Sequence, residues 1–162
     1  MATTRRAALI AGATLALGQS MRAFAHGDSK SGHAAKPAKA EQKPFGIAGD
    51  PKRVSRTVDI TMSDDMRFSP SMLDVRLGET VRLRCRNSGK VMHELVIGTQ
   101  EELAAHAELM KKFPGMEHEE PYMVHVAPGK SGSIVWNFNR AGQFKFACLI
   151  AGHYQAGMVG TI

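Results

Sequence analysis

Residues 144–162 read FKFACLIAGHYQAGMVGTI, and this stretch carries the strongest structural signal in the chain. Its two ends have the apolar composition of short strands, so we predict a strand on either side of a central loop. In that loop Cys148, His153 and Met158 are each separated by four residues. Three soft or borderline metal ligands at such regular spacing predict a metal-binding loop between two strands.

A fourth candidate ligand, His93, lies far upstream at the start of another predicted strand. One thiolate, two imidazoles and a weak thioether form the donor set of copper electron-transfer sites, whereas methionine is not among the usual ligands of zinc. Other roles remain open for each residue taken alone. Cys148 could be a core cysteine or pair with Cys85, and His93 could be a buried histidine with ordinary hydrogen bonds.

Outward from this loop, the sequence alternates between apolar and polar residues with a period of two. Val81, Leu83 and Cys85 alternate with three arginines, which predicts one buried and one charged face and makes Cys85 a small core residue. Many short strands separated by turn residues predict an all-β fold, a Greek-key β-sandwich. The predicted strands cover residues 54–60, 73–77, 81–85, 93–97, 122–126, 134–138, 143–148 and 159–162.

One short helical insertion is predicted around residues 100–113. Thr99 and Glu102 have the spacing of a capping box, and Leu103, Ala107 and Met110 recur at helical spacing. Pro114-Gly115 then ends the pattern.

The N-terminus has the features of an export signal. A basic pair at Arg5-Arg6 precedes an apolar run that is too short to span a bilayer, and Ala23-Phe24-Ala25 fits a cleavage site after Ala25. We therefore expect a signal peptide over residues 1–25 and a periplasmic location without a membrane span. Removing it takes away three arginines and no acidic residue, so the net charge falls from +6 to +3.

Residues 26–53 are rich in Lys, Ala, Gly and Pro, and we predict a flexible tail there. His26 would become the new N-terminus, either as a solvated residue or as a Cu(II) ligand through its amine and ring. The folded domain is predicted over residues 54–162. Its charges are dispersed without the basic and aromatic pattern of a nucleic-acid surface, so no nucleic-acid partner is expected.

From about Phe68 onward the chain resembles the cupredoxins, the plastocyanin/azurin superfamily. Among them it is most similar to the periplasmic CopI-like proteins of copper-tolerance systems, because of the helical insertion and the segment FPGMEH at residues 113–118. The segments that carry the wider resemblance are Phe68-Ser69-Pro70, residues 77–81, Asn87-Ser88-Gly89, His93-Glu94, residues 141–144 and residues 148–158.

The resemblance implies one type-1 copper ion, either blue or green, as the cofactor. It implies that His93, Cys148 and His153 are equatorial ligands and that Met158 is the axial ligand. It also implies that Asn87 holds a loop near the site. Ala151 departs from the family, in which many loops carry proline before Gly-His.

In the family, the loop histidine lies near the surface and passes electrons to a partner protein. The resemblance therefore implies that a redox partner docks near His153, on an apolar rim formed by Leu149, Ile150 and Ala156. Copper-handling proteins are further expected partners.

A second group of soft ligands lies between Met92 and His125. Met116, His118, Met123 and His125 could form a secondary Cu(I) cluster, with Met123 and His125 as an exposed pair on one strand face. The alternative is that these methionines fill gaps in the core and that the histidines are ordinary surface residues.

The sequence therefore predicts an exported cupredoxin with one redox-active type-1 copper that serves periplasmic copper tolerance. Two alternatives stay open: a dedicated respiratory or photosynthetic electron carrier, and a periplasmic copper chaperone. We do not expect enzymatic turnover, since the chain lacks the additional His-x-His pattern of multicopper oxidases.

Overall fold

The computed structural model describes residues 40–116 and 118–162, which form two β-sheets and one α-helix. The predicted signal peptide and residues 26–39 of the predicted tail lie outside this part of the chain. The elements are β1 (Ile47–Ala48), β2 (Arg56–Ser63), β3 (Arg67–Ser69), β4 (Thr80–Asn87), β5 (His93–Gly98), α1 (Gln100–Lys112), β6 (Met123–Val126), β7 (Ser131–Asn137), β8 (Lys145–Ala147) and β9 (Val159–Thr161).

The first sheet has the strand order β1-β7-β4-β2-β3, and the second has the order β6-β5-β8-β9. Pairing is antiparallel except between β2 and β4, which run parallel. The predicted all-β sandwich with one short helical insertion is confirmed. Within the described residues, no helix is both long enough and apolar enough to cross a membrane.

Strand β4 shows why the alternating pattern builds the sandwich. Val81, Leu83 and Cys85 are completely buried, and Arg84 and Arg86 on the opposite face are exposed. Apolar side chains from one face of each sheet fill the space between the two sheets, where burial is favourable. Cys85 is therefore a core residue as predicted, and neither cysteine forms a disulfide.

The folded domain begins upstream of the predicted boundary at Val54. Strand β1 pairs with β7, and the buried ring of Phe45 stacks on Trp136 with ring centroids 5.5 Å apart. The indole Nε1 of Trp136 also donates a hydrogen bond of 3.0 Å to the carbonyl oxygen of Phe45. The overall composition of residues 26–53 did not indicate this contact. A single aromatic residue is enough to fix a short segment to the core, and one residue hardly changes the composition.

The predicted strand over residues 73–77 is wrong. Leu73 is buried and its backbone N–H donates to Thr161, but Leu77 is 69% exposed. Leu73 and the partly buried Val75 face the core, but the segment lacks the ladder of backbone hydrogen bonds that defines a strand. The short strand β3 occupies the position beside β2 instead.

Helix α1 covers the outer face of the second sheet. Thr99 and Glu102 form the predicted capping box, which satisfies free N–H groups at the start of the helix. Leu103, Ala107 and Met110 are buried in a cluster of their own with Val96, Met123 and Leu149 of the second sheet and its loops. The second sheet is thus covered on both faces, by the first sheet and by α1.

The anchor at Phe45 gives a direct test of where the domain begins. We expect Phe45→Ala to lower the free energy of unfolding by about 3–5 kcal/mol, because a large buried ring is removed from its contacts with Trp136. Urea unfolding followed by Trp136 fluorescence measures this change. Phe113→Ala is the matched control, since that ring is 57% exposed. Equal effects of the two substitutions would contradict the upstream boundary.

Candidate metal centre

Three of the four predicted ligands lie at the ends of neighbouring strands. His93 is the first residue of β5, Cys148 directly follows β8, and Met158 directly precedes β9. Since β8 pairs with β5 on one side and with β9 on the other, these three residues meet at one end of the second sheet. The backbone N–H of Cys148 donates to the carbonyl oxygen of Met158 at 3.1 Å, which closes the loop between them.

The loop itself brings His153 to the same place. The N–H of His153 donates to Ile150, and the N–H of Met158 donates to His153, so the loop folds as successive tight turns. Gly152 and Gly157 have φ angles of +91° and +90°, a backbone region that glycine enters without strain. Glycine at these two positions therefore lets eleven residues from Cys148 to Met158 close on themselves.

The donor atoms of His93, Cys148 and His153 all lie within 4.8 Å of one another. Sγ of Cys148 is 3.3 Å from Nδ1 of His153, and the two imidazole rings have centroids 5.1 Å apart. His93, Cys148 and Met158 are fully buried, and His153 is partly exposed. The structure thus brings together all three predicted equatorial ligands, with the predicted axial methionine beside them in the loop.

The ring of His93 is oriented by an acidic residue behind it. Its Nε2 lies 3.2 Å from Oδ1 of Asp64. Because a carboxylate only accepts hydrogen bonds, Nε2 carries the proton and Nδ1 carries a free lone pair. Hydrogen bonds from the backbone of Lys90 and from His93 hold the pKa of Asp64 below its ordinary value, so this carboxylate stays charged.

Nδ1 of His93 is the strongest sign that the centre is built for a metal. Among the described residues it is the one buried side-chain nitrogen or oxygen without a hydrogen-bond partner in the protein. Burying such an atom is costly unless something binds it. A metal ion among Nδ1, the Cys148 thiolate and the His153 ring would satisfy it, and this soft donor set fits copper.

Protonation in the metal-free protein differs among the ligands. Burial raises the pKa of the Cys148 thiol to about 12, so the metal must displace a proton to bind the thiolate. Burial and the neighbouring His93 lower the pKa of His153, which keeps that ring neutral and able to bind a metal. Sγ of Cys148 also accepts a hydrogen bond of 3.4 Å from the backbone N–H of Glu94.

Asn87 is the buried last residue of β4 and holds the loop that follows it, as the resemblance implied. Its Nδ2 donates to the carbonyl oxygens of Val91 and Val126 at 2.7 and 2.8 Å, and its Oδ1 accepts from the N–H of Gly89. These bonds fix the turn that leads into His93. Asn87 therefore positions a ligand without contacting the centre through its own side chain.

Glu94 is a residue whose role at the site the sequence reasoning missed. Its carboxylate is 2% exposed, accepts a 2.8 Å hydrogen bond from the N–H of Leu149, and lies 2.8 Å from Nε2 of His125. Burial raises the pKa of Glu94, while the charge of His125 opposes that shift. The sequence did contain a sign of this role. Glu94 is an acidic residue near the start of an otherwise apolar strand, and such residues are rarely buried unless they have a partner.

Two sequence predictions about side-chain exposure are wrong. Leu149 does not belong to an exposed rim, because it is 1% exposed and packs under α1. Met123 is 8% exposed in the same cluster, so it does not form an exposed pair with His125. Of the remaining rim residues, Ile150 is partly buried and Ala156 is exposed.

The other predicted members of the secondary cluster lie apart from the main centre. Met116 is exposed, His118 is partly buried, and His125 is exposed beside Glu94. All three line one groove with Met92 and Met110.

Comparison with known proteins places this centre in a family. Residues 54–162 match the model of the copper-binding proteins of the plastocyanin/azurin family. The chain is 50% identical over 135 residues to the copper-resistant cuproprotein CopI of Rubrivivax gelatinosus, covering 83% of this chain and 82% of the relative. It is 32% identical to CopI of Pseudomonas aeruginosa, covering 81% and 88% of the two chains.

The solved structures agree on the fold. Reduced auracyanin from the photosynthetic bacterium Roseiflexus castenholzii superposes with a TM-score of 0.57 at 22% identity, covering 67% of this chain and 95% of the other. The predicted resemblance to cupredoxins, and to CopI-like proteins among them, is confirmed. The donor set and the comparisons lead to the same conclusion: the chain belongs to the plastocyanin/azurin family of copper-binding proteins, and copper is its cofactor.

Proposed function

We propose that this protein is an exported cupredoxin that holds one type-1 copper ion, exchanges one electron and serves copper tolerance in the periplasm. The observation that carries the proposal is the unpartnered, buried Nδ1 of His93, which lies within 4.8 Å of the donor atoms of Cys148 and His153. A protein keeps such an arrangement when a bound ion completes it.

The type-1 assignment rests on the number and kind of donors. Two imidazoles and one thiolate supply three strong ligands, and Met158 supplies a buried thioether as a weak fourth. Bound there, copper supplies one-electron chemistry between Cu(I) and Cu(II). The ligands are fixed by strands β5, β8 and β9, so they move little when the charge of the ion changes.

Electron exchange is proposed to take place through His153. It is the ligand whose side chain is partly exposed, while His93, Cys148 and Met158 are buried. A redox partner would dock around His153 beside Ile150 and Ala156. The centre offers four protein donors, which favours electron transfer over substrate turnover, since a catalytic metal site keeps an open position.

Copper tolerance is proposed from the relatives. Those from Rubrivivax gelatinosus and Pseudomonas aeruginosa are named copper-resistant cuproproteins, and they align with more than four fifths of this chain. The basic and apolar N-terminus with Ala23-Phe24-Ala25 supports export to the periplasm.

Replacing the thiolate tests the type-1 assignment. We expect the copper-loaded protein to show an intense thiolate-to-copper charge-transfer band, and we expect Cys148→Ser to lose it completely. Visible and EPR spectroscopy measure both. Cys85→Ala is the matched control, because Cys85 is also a buried free cysteine but lies in strand β4. A wild-type protein without the band would overturn the assignment.

The pH dependence of copper binding tests the protonation of Cys148. Since its pKa is about 12 in the metal-free protein, copper displaces one proton at neutral pH. We expect affinity to rise by about tenfold per pH unit between pH 7 and pH 9, where the His153 ring is already neutral. Competition with a chelator, corrected for the chelator's own protonation, measures the slope. A pH-independent affinity would mean that the thiolate already exists before copper binds.

Growth of a deletion strain tests the physiological role. We expect the strain to be sensitive to copper, and we expect wild type and Cys85→Ala to restore growth while Cys148→Ser does not. Respiratory or photosynthetic growth without added copper is measured in parallel. Unchanged copper sensitivity together with slow respiratory or photosynthetic growth would favour the dedicated electron carrier instead.

A further inference from the structure

A groove with a volume of 640 Å³ lies beside the copper centre without including any of its four ligands. We call it the Met/His groove and define it by Met92, Glu94, Met116, His118 and His125, which all line it. These residues offer thioether, imidazole and carboxyl groups, which can all bind metal ions. None of them is used by the type-1 centre as a ligand.

The floor of the Met/His groove is formed by Glu94 and His125, whose side chains contact each other. Oε2 of Glu94 lies 2.8 Å from Nε2 of His125, and the other oxygen of Glu94 is held by the N–H of Leu149. The carboxylate is buried, whereas 38% of the His125 side chain is exposed. A buried carboxyl group therefore faces a groove that a cation can enter from solvent, and its oxygens have lone pairs beyond those used by Leu149 and His125.

The wall of the groove carries two methionines that are open to solvent. Met92 is 44% exposed and Met116 is 38% exposed, although both belong to an apolar residue type. His118 lies two residues after Met116 in the chain, and the centroid of its ring is 4.7 Å from that of His106 on α1. Exposed thioethers beside imidazoles are suited to bind a soft metal ion.

This donor set selects Cu(I). Thioethers and imidazoles suit a soft monovalent ion, and methionine is a poor ligand for zinc. Glu94 adds oxygen donors at the floor of the groove. The groove is also less preorganised than the main centre, because among the described residues only His93, Cys148 and His153 bring three His, Cys, Asp or Glu donor atoms within 4.8 Å of one another. Ligands in the groove must close on the ion, which makes binding weaker and exchangeable.

The Met/His groove is directly connected to the main centre. The side chain of Glu94 lies in the groove, while its backbone N–H donates to Sγ of Cys148. Ile150, which belongs to the ligand loop between Cys148 and His153, also lines the groove. Glu94 thus contacts the groove with its side chain and the predicted copper ligand Cys148 with its backbone.

We propose that the Met/His groove is a second, exchangeable Cu(I) site, formed by Met92, Met116, His118 and His125 over the carboxylate of Glu94. It captures Cu(I) beside the ligand loop and adds copper capacity to a chain that already holds one ion. The site is independent of the electron-transfer role, because it needs neither Cys148 nor His153 as a ligand. Met123, which the sequence pattern also suggested, is not part of it because it is buried under α1.

An anaerobic titration of the whole exported chain with Cu(I) tests this site. The chelator bicinchoninate competes for the metal and reports free Cu(I), and the first equivalent fills the type-1 centre. We expect wild type to hold a further equivalent that the double variant Met116→Leu/His118→Gln binds at least about tenfold more weakly, since the loss of even a hydrogen-bond partner of a ligand costs that much. Both residues follow α1 in a loop, so their replacement spares the core.

Two controls show whether the lost binding belongs to the groove. Met72→Leu replaces a methionine that is 69% exposed outside the groove, and we expect it to match wild type. His26 and His33 are present in every variant, so copper bound by them is subtracted in the comparison. His125→Gln is a second test, read together with a circular dichroism spectrum because the buried Glu94 loses its exposed partner.

The outcomes are distinguishable from those for the main centre. An unchanged charge-transfer band in Met116→Leu/His118→Gln, together with the loss of the further equivalent, supports the groove site. A further equivalent that is bound equally tightly by wild type and the double variant overturns it, as does a wild type that binds no further Cu(I). Absence of the band in wild type would instead count against the type-1 proposal.

Discussion

The pairing of strand β5 with β8 is the constraint on which the rest of the molecule depends. The register that matches Val96 with Ala147 sets the end of β8 against the start of β5, and thereby sets Cys148 beside His93. This backbone pairing holds the ring of His93 and the thiol of Cys148 at short range. Any movement that separated them would break the hydrogen bonds between the two strands.

The sequence pattern predicted the parts of this arrangement that follow from local alternation. Strand β4, helix α1 with its capping box, and the loop with Cys148, His153 and Met158 were all predictable, because each depends on residues that are close in the chain. His93 was a candidate from its residue type and its place at the start of a strand, and the resemblance to cupredoxins linked it to the distant loop as an equatorial ligand.

What the sequence could not predict has one physical cause. Alternation indicates that a strand has two different faces, but not what covers each face. Helix α1 adds a third layer over β5 and β8, so every residue of β5 is buried. Leu149 and Met123 were therefore expected at the surface and are found in the core, and Glu94 is a buried carboxyl group whose partner is the exposed ring of His125. Phe45 was missed for a related reason, since its partner Trp136 is distant in sequence.

The high pKa of Cys148 also affects how readily its sulfur is oxidised when no metal is bound. Disulfide exchange and oxidation to sulfenic acid both start from the thiolate, and at pH 7 a thiol with a pKa of about 12 is ionised in about one molecule in 10⁵. Cys85, whose pKa burial also raises to about 12, is protected in the same way. Without metal, Cys148 therefore stays almost entirely in the less reactive thiol form, and it loses its proton when a metal binds.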